Sequence, residues 1–327
     1  MAGQLRLLNP LRAVVATLAG GIALMGVLSW FGALHWTFEL LSHFRFYYFV
    51  LGGILALLAL ALRLTGPAVV VALVATVNGA AAWPHMAMPV SVWRTEPLPV
   101  VRVLWANLHN WATDLGALRE LIEREKPDIA VFTELAGTHA ETVRQMRALL
   151  PYQSTLPDGN PLDVMLLSKR PPEALHFDLE AGGGAPLLMA RICPGEAACL
   201  TLLALHASRP FPHAGGLRDR QLAYAATVAR REVDAGHRVV FVGDLNVTPF
   251  SPVYDRLLGA SGLADTASIR VERARSATAT WWFGNTGIGL PIDHVLVGPG
   301  VMLVERRLGT PIRSAHLPLI VDLRIAP

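Results

Sequence analysis

The chain has 327 residues, of which 53% are hydrophobic and only 16% charged, and its mean hydropathy is +0.42. That balance is too apolar for one ordinary soluble domain. The net charge of +3 is unevenly held: residues 1–96 contain five Arg and two Glu, and the remainder holds 23 basic and 23 acidic residues. The larger part is therefore formally neutral and offers no basic surface of the kind that signals a nucleic-acid partner.

The apolar excess lies at the N-terminus. Ala13 to Phe38 carries no charge, Phe46 to Leu62 is an uncharged run between Arg45 and Arg63, and Pro67 to Trp83 is apolar except for Thr76 and Asn78. At 1.5 Å per residue the two shorter runs are near the lower limit for a bilayer core of about 30 Å, and flanking Arg and aromatic residues extend their reach by snorkelling. The first run alone could be a secretory signal, but two more follow it. The pattern predicts a transmembrane anchor over residues 1–84 with spans at about 13–34, 46–62 and 67–83; the alternative is one span and an interfacial hairpin. Arg6, Arg12 and Arg63 on one side, against Arg45 on the other, favour a cytoplasmic N-terminus, and Arg94 and Arg102 oppose it. Cys193 and Cys199 flank a five-residue turn between two strand-like runs. A hairpin would bring them face to face, and a disulfide persists only in an oxidising compartment. The expectation is a multi-pass plasma-membrane protein with its C-terminal domain outside the cytoplasm; two half-buried thiols are the alternative.

Residues 85–99, rich in proline, read as a linker. From Val100 the pattern alternates as α/β: a strand to Trp105 with Asn107 just past it, a helix from Thr113 or Asp114 stopped by Pro127, and a strand 128–133 delivering Glu134. Thr138 and Glu141 form a capping box for a helix with Val143, Met146 and Leu150 on one face. Val164 to Leu167, Leu187 to Ile192 and Leu200 to Leu205 read as strands, the last presenting His206, and a helix follows from Leu217 to Ala235. Val239 to Val242 is a buried strand ending in Gly243-Asp244-Leu245-Asn246; alternation puts Asp244 and Asn246 on one face at its C-terminal end, where α/β sheets carry their sites. The alternative is a turn in which both satisfy local backbone groups. Ser251-Pro252 starts another helix, and Ile292 to Val297 and Leu317 to Ile325 close the sheets.

The strand ends thus collect Asn107, Glu134, His206, Asp244, Asn246, Asp293 and His316. With Trp-Ala-Asn107, Pro-Asp-Ile-Ala-Val-Phe-Thr-Glu134, Leu-His206, Gly-Asp244-Leu-Asn246, Ile-Asp293-His-Val and Ser-Ala-His316-Leu-Pro in this order, residues 100–327 resemble the endonuclease/exonuclease/phosphatase (DNase I-like) superfamily of divalent-metal phosphoesterases. The apolar N-terminus and Arg218-Asp-Arg220-Gln221-Leu resemble a membrane-anchored bacterial branch. The resemblance implies a four-layer α/β sandwich after the three-helix anchor. It implies Mg²⁺ or Mn²⁺ held by Glu134 and Asn107, Asp244 orienting or deprotonating the attacking water, Asn246 and His206 donating to phosphoryl oxygens, and Asp293 holding His316 in its working tautomer. The family usually has Asp immediately before the residue matching His316. Here Ala315 stands, so one ion is expected rather than two, with an impaired enzyme as the opposite reading.

Arg218 and Arg220 could clamp a second phosphate or lie on a solvated helix face, and His109 could reach the site or remain in a solvated loop. Trp281-Trp282-Phe283, with Arg270, Arg273 and Arg275 before it, could rest at a lipid interface or pack a Trp into the core. The expected activity is hydrolysis of a membrane-borne or extracytoplasmic phosphate ester, with a polyprenyl pyrophosphate as the sharpest candidate. The alternatives are an extracytoplasmic nuclease, disfavoured by the neutral domain, and a non-catalytic membrane-tethered phospholigand-binding protein.

Overall fold

A computed structural model describes residues 2–85, 98–109, 113–135, 139–154, 162–194, 198–210, 216–268 and 279–327. The capping box at Thr138, most of the linker and Arg270, Arg273 and Arg275 lie outside these residues. The chain divides into two compact units, Met1–Ala87 with Thr248–Tyr254, and Met88–Val247 with Asp255–Pro327.

The first unit is helical: α1 (Ala2–Leu28), α2 (Trp36–Ser42), α3 (Arg45–Ala61) and α4 (Thr65–Ala82). Small residues let its helices approach closely. A Cβ on Gly26 would sit 2.5 Å from a Val74 methyl, and one on Gly79 would sit 2.4 Å from the Phe49 ring. Asn78 is buried and makes its amide hydrogen bonds inside the unit, to the carbonyls of Gly26 at 3.3 Å and Val74 at 2.9 Å. From the Thr248–Tyr254 segment, Ser251 Oγ donates to Glu39 Oε1 at 2.5 Å and Thr248 Oγ1 bonds His43 Nδ1 at 2.8 Å.

Two helices of this unit, Asn9–Phe31 and Thr65–His85, are long and apolar enough to cross a membrane. The expected second span, 46–62, falls on α3, which meets that test only together with α2; the pair is bent by 65° at its break. Charge-free length marks apolar segments but says nothing of where a helix breaks, and here it breaks at His43 and Phe44.

The second unit has, among the described residues, two six-stranded sheets. The first contains β1 (Val100–Asn107), β2 (Ile129–Thr133), β3 (Tyr152–Gln153), β4 (Val164–Ser168), β13 (Val301–Leu308) and β14 (Leu319–Ile325), in the order β13-β14-β1-β2-β4-β3. The second contains β5 (Ala174–Asp178), β6 (Leu187–Ile192), β7 (Leu200–His206), β8 (Arg238–Asp244), β9 (Ala264–Asp265) and β12 (Asp293–Val297), in the order β5-β6-β7-β8-β12-β9. A short hairpin pairs β10 (Trp281–Trp282) with β11 (Gly289–Leu290). Each large sheet is mixed: β1 runs parallel to β2 and β7 parallel to β8, and the other pairs are antiparallel.

The two sheets pack face to face through alternate residues. Val103, Trp105, Val131, Leu166 and Val321 of one sheet join Leu188, Leu202, Ala204, Val240, Val242 and Val295 of the other in a single core. The opposite face of the first sheet, with Leu104, Ala130, Phe132 and Met165, is covered by α5 (Leu115–Glu125) through Leu118, Leu121 and Ile122, and by α6 (His139–Gln145) with the turn after it through Val143, Met146 and Leu150. The helix α7 (Leu217–Asp234) lies against β7 and β8 of the second sheet. Strands buried on both faces read as continuous apolar runs, so β1, β2, β7 and β8 are legible in the sequence. The helix ends also follow it: Asp114 caps α5, accepting from the Ala117 amide at 3.1 Å, and Ser251 precedes α8 (Pro252–Ser261) with its hydroxyl accepting from the Val253 amide at 3.1 Å.

Candidate active site

Strand register assembles the site. Parallel pairing of β1 with β2 sets Asn107 opposite Thr133, so Asn107 and Glu134 emerge together. Parallel pairing of β7 with β8 sets His206 opposite Asp244, and antiparallel pairing of β12 with β8 sets Asp293 opposite the same Asp244. His316 arrives on the segment leading into β14. Asn107, Glu134, His206, Asp244, Asp293 and His316 are all buried.

Asp244 Oδ2 is the hub. It accepts from Asn107 Nδ2 at 3.0 Å, and it lies 3.5 Å from His206 Nε2 and 3.7 Å from His316 Nε2. Asn107 Nδ2 also donates to Glu134 Oε1 at 3.1 Å, so one amide ties the two carboxylates together. The amide is itself held, its Oδ1 accepting from the His109 backbone N–H at 2.8 Å. His109 contributes that backbone group, and its side chain is exposed.

The two imidazoles have different backing. The Thr133 hydroxyl donates its single proton to the Asp163 carbonyl at 2.7 Å, so it accepts from His206 Nδ1–H at 3.0 Å, and the ring's Nε2 faces Glu134 and Asp244. His316 Nδ1–H donates to Asp293 Oδ2 at 2.8 Å, and the other oxygen of Asp293 accepts from Trp105 Nε1 at 2.8 Å. Burial works against charge on His316, but the Asp293 carboxylate, aided by Asp244 and Glu134, outweighs it and pushes the ring's pKa up to about 9. Asp293 is also buried, yet His316 and its hydrogen bonds hold it below the usual carboxylate range. Asp244 moves the other way: burial and the neighbouring Asp293 charge raise it.

Asp244, Asp293 and His316 each present a potential ligand atom within 4.8 Å of the others. Asp293 and the Nδ1 side of His316 are already joined to one another and to Trp105, so this trio is an orienting relay. Glu134 stands outside that relay, and its hard carboxylate oxygens, tied to Asn107, are better suited to a divalent ion. Arg209, unremarked in the sequence because it lies three residues beyond its strand, brings Nη2 to 3.5 Å from Glu134 Oε1, so a cationic group fits beside that carboxylate.

Two expected placements change. Asn246 is not on the strand: it lies in the turn beyond β8 with φ 48°, its amide N–H donates to Asp244 Oδ1 at 3.1 Å, and its side-chain Nδ2 donates to the Ala207 carbonyl at 2.8 Å. The strand ends at Asp244, so the two-residue alternation stops one step short, and Asn246 serves the turn instead of pointing its amide along the strand face. Arg218 is not a solvent-facing phosphate clamp. It is buried, with its guanidinium on Asp219 Oδ1 at 2.7 Å and on the Asn246 carbonyl at 3.0 Å, where it supports the same turn. Arg220 is exposed on α7. Cys193 and Cys199 form a disulfide.

Comparison with known proteins agrees with this geometry. Residues 104–316, which contain every strand end named above, match the Endonuclease/Exonuclease/phosphatase family. No curated protein matches the chain in sequence. Among solved structures, TDP2 from C. elegans is similar at 18% identity over 70% of this chain and 77% of its own, with a TM-score of 0.55. A mannosyl-6-phosphatase from Bacteroides thetaiotaomicron is similar at 16% identity over 68% and 99%, with a TM-score of 0.53. Sphingomyelinase C from Streptomyces griseocarneus is similar at 19% identity over 68% and 99%, with a TM-score of 0.50. At these identities the structural likenesses carry the fold, two packed mixed sheets flanked by helices. The sequence match extends over well more than half of the chain, which therefore belongs to the Endonuclease/Exonuclease/phosphatase family.

Proposed function

We propose that the chain is a membrane-anchored, divalent-metal-dependent phosphoesterase acting on a membrane-borne or extracytoplasmic phosphate ester, with a polyprenyl pyrophosphate as the sharpest candidate. The ring of Asn107, His206 and His316 around Asp244 Oδ2, with Glu134 beside it, is the observation that carries this reading. Family members are phosphodiesterases or phosphatases that generally use divalent metal ions. The residues fit such an ion. Glu134, Asp244 and Asp293 are at most 2% exposed, and buried carboxylates need cationic partners. Glu134, with Asn107, would hold one Mg²⁺ or Mn²⁺. When bound, the ion supplies neutralisation of the phosphate and of the leaving oxygen.

The chain's own groups divide the remaining work. Asp244 receives the proton of the attacking water, and its raised pKa makes it a better base than an ordinary aspartate. As the new P–O bond forms and the bond to the leaving oxygen breaks, the protonated His316 offers its Nε2–H to the oxygens that gain charge, and His206, whose ring proton sits on Nδ1 against Thr133, presents Nε2 as an acceptor toward the site. Asp293 keeps His316 protonated and oriented. No bond between enzyme and phosphorus is required. Ala315 carries no charge next to His316, which supports one ion rather than two.

Membrane attachment is supported by the two apolar helices and the bent third pair, and an extracytoplasmic site by the Cys193–Cys199 disulfide. Detergent-purified protein, with and without EDTA, tests the proposal on polyprenyl pyrophosphate, phospholipids and plasmid DNA. Metal-dependent release of phosphate from the lipid substrates is expected. Rapid DNA cleavage without lipid turnover would favour the nuclease reading, and no turnover of any substrate would favour a phospholigand-binding protein. Two tightly bound Mn²⁺ per chain would refute the single-ion claim.

A further inference from the structure

The hairpin β10–β11 joins the His316 segment edge to edge. Trp281 pairs with His316 as a β-bridge, the Trp282 amide donates to the Ala315 carbonyl at 3.0 Å, and the Leu317 amide donates to the Thr280 carbonyl at 2.7 Å. Thr280 is fully buried, and its hydroxyl accepts from the Asp293 amide at 3.0 Å, so the base of the hairpin is bonded to Asp293 and to the residues on either side of His316. Its tip points the other way chemically. From Thr280 to Ile292 no residue is charged, and residues 282–287 are all exposed. Phe283 is 59% exposed and Trp282 37%, and they are the only adjacent pair of large exposed hydrophobics among the described residues of this unit.

The tip has a defined shape: the Phe283 amide donates to the Ile288 carbonyl at 2.9 Å, and the Trp281 and Phe283 rings lie 6.1 Å apart. An uncharged tip with two exposed aromatics is suited to a partner that is apolar on one side and polar on the other, since Trp favours headgroup depth, Phe adds apolar area just beneath it, and no charge has to be desolvated. The chain also carries helices apolar enough to cross a bilayer. The fourteen residues 86–99 that join those helices to Val100 reach at most about 50 Å when extended.

We propose that the Trp282–Phe283 tip is an interfacial anchor that inserts into the headgroup region of a lipid bilayer and keeps the His316 side of the site at the lipid surface. This deepens the reading of a membrane-borne substrate and rests on it. Insertion and turnover are measured separately, so that either can fail alone.

The full chain has no free thiol, so Phe283→Cys carries a polarity-sensitive fluorophore at one position in nanodiscs of phosphatidylethanolamine and phosphatidylglycerol. A blue shift and quenching by lipids with a nitroxide near the headgroup are expected, with neither at Tyr152→Cys, which is 42% exposed and sits at the opposite end of the first sheet from the site, Tyr152 pairing with Ser168 and Ser168 with Ile129. A label at 283 that stays as wet as the one at 152 overturns the anchor. A label that is dry but insensitive to lipid quencher also overturns it and points to a second copy. In the turnover arm, Trp282→Asp with Phe283→Asp should lower hydrolysis of a bilayer-embedded phosphate ester at least tenfold more than that of a soluble one; equal losses would overturn the functional part of the proposal. If the wild type hydrolyses neither ester, the phosphoesterase reading fails while the fluorescence result still decides the anchor.

Discussion

His206 and His316 flank one oxygen of Asp244 at nearly equal distances, yet what stands behind each ring differs. His206 rests on a neutral hydroxyl that fixes which nitrogen carries its proton. His316 rests on a buried carboxylate that also supplies charge. The comparison teaches that two identical side chains at one site acquire different work from the group on their far nitrogen: one is an oriented dipole, the other a held cation.

The most severe way to break the comparison is to remove the charge behind His316 and keep the shape. Asp293→Asn should lower kcat about a thousandfold, about 4 kcal/mol of barrier, and leave Mn²⁺ affinity by calorimetry within a few fold. A tenfold loss or less would mean that Asp293 is only packing. Glu134→Gln separates the ion from both histidines: metal affinity should fall at least a hundredfold, with folding by circular dichroism intact. Unaltered Mn²⁺ binding would move the ion elsewhere.

A titration sharpens the comparison. His316 has a folded pKa of about 9 against an ordinary value of 6.5. Its contribution to stability is therefore fully present below about pH 6.5 and is lost as pH rises to about 9. In EDTA, the melting advantage of the wild type over His316→Gln should shrink across that window by an amount on the order of 3 kcal/mol. A constant difference from pH 6 to 9.5 would contradict the held-cation description. The mildest test is Thr133→Val, which removes the hydroxyl behind His206. It should lower turnover about tenfold and stability by about 1–3 kcal/mol, and its pH profile should keep the wild-type shape because no charge has been removed. A shifted profile would show that Thr133 does more than orient the ring.

Much of this was legible in the sequence because both-face-buried strands advertise themselves and stop at polar residues. Asn107, Glu134, His206 and Asp244 each follow such a run, and Asp293 opens one. Edge strands were not legible. Outer β5, with most of its residues exposed, and outer β13, with Glu305, Arg306 and Arg307 in succession, lack the apolar signature because one flank has no neighbouring strand among the described residues. Side-chain destinations were also hidden. Whether Arg218 reaches a phosphate or a carbonyl depends on the path of the turn at Asn246, and Arg209 matters only through where its loop returns. The short helix α2 before α3 makes no apolar run of its own, since Glu39, His43 and Arg45 interrupt the sequence there.

Glu134 and Asn246 both sit at positive φ, 53° and 48°, in backbone that suits glycine better than a side chain. Selection for heat resistance and selection for turnover therefore pull in opposite directions at Glu134. Glycine there would relieve both an unfavourable backbone and a buried charge, and would delete the carboxylate assigned to the ion. A variant library sorted only for thermal survival would drift toward inert members at this position first, so any effort to harden the protein has to hold residue 134 fixed and look for its gains in the edge strands.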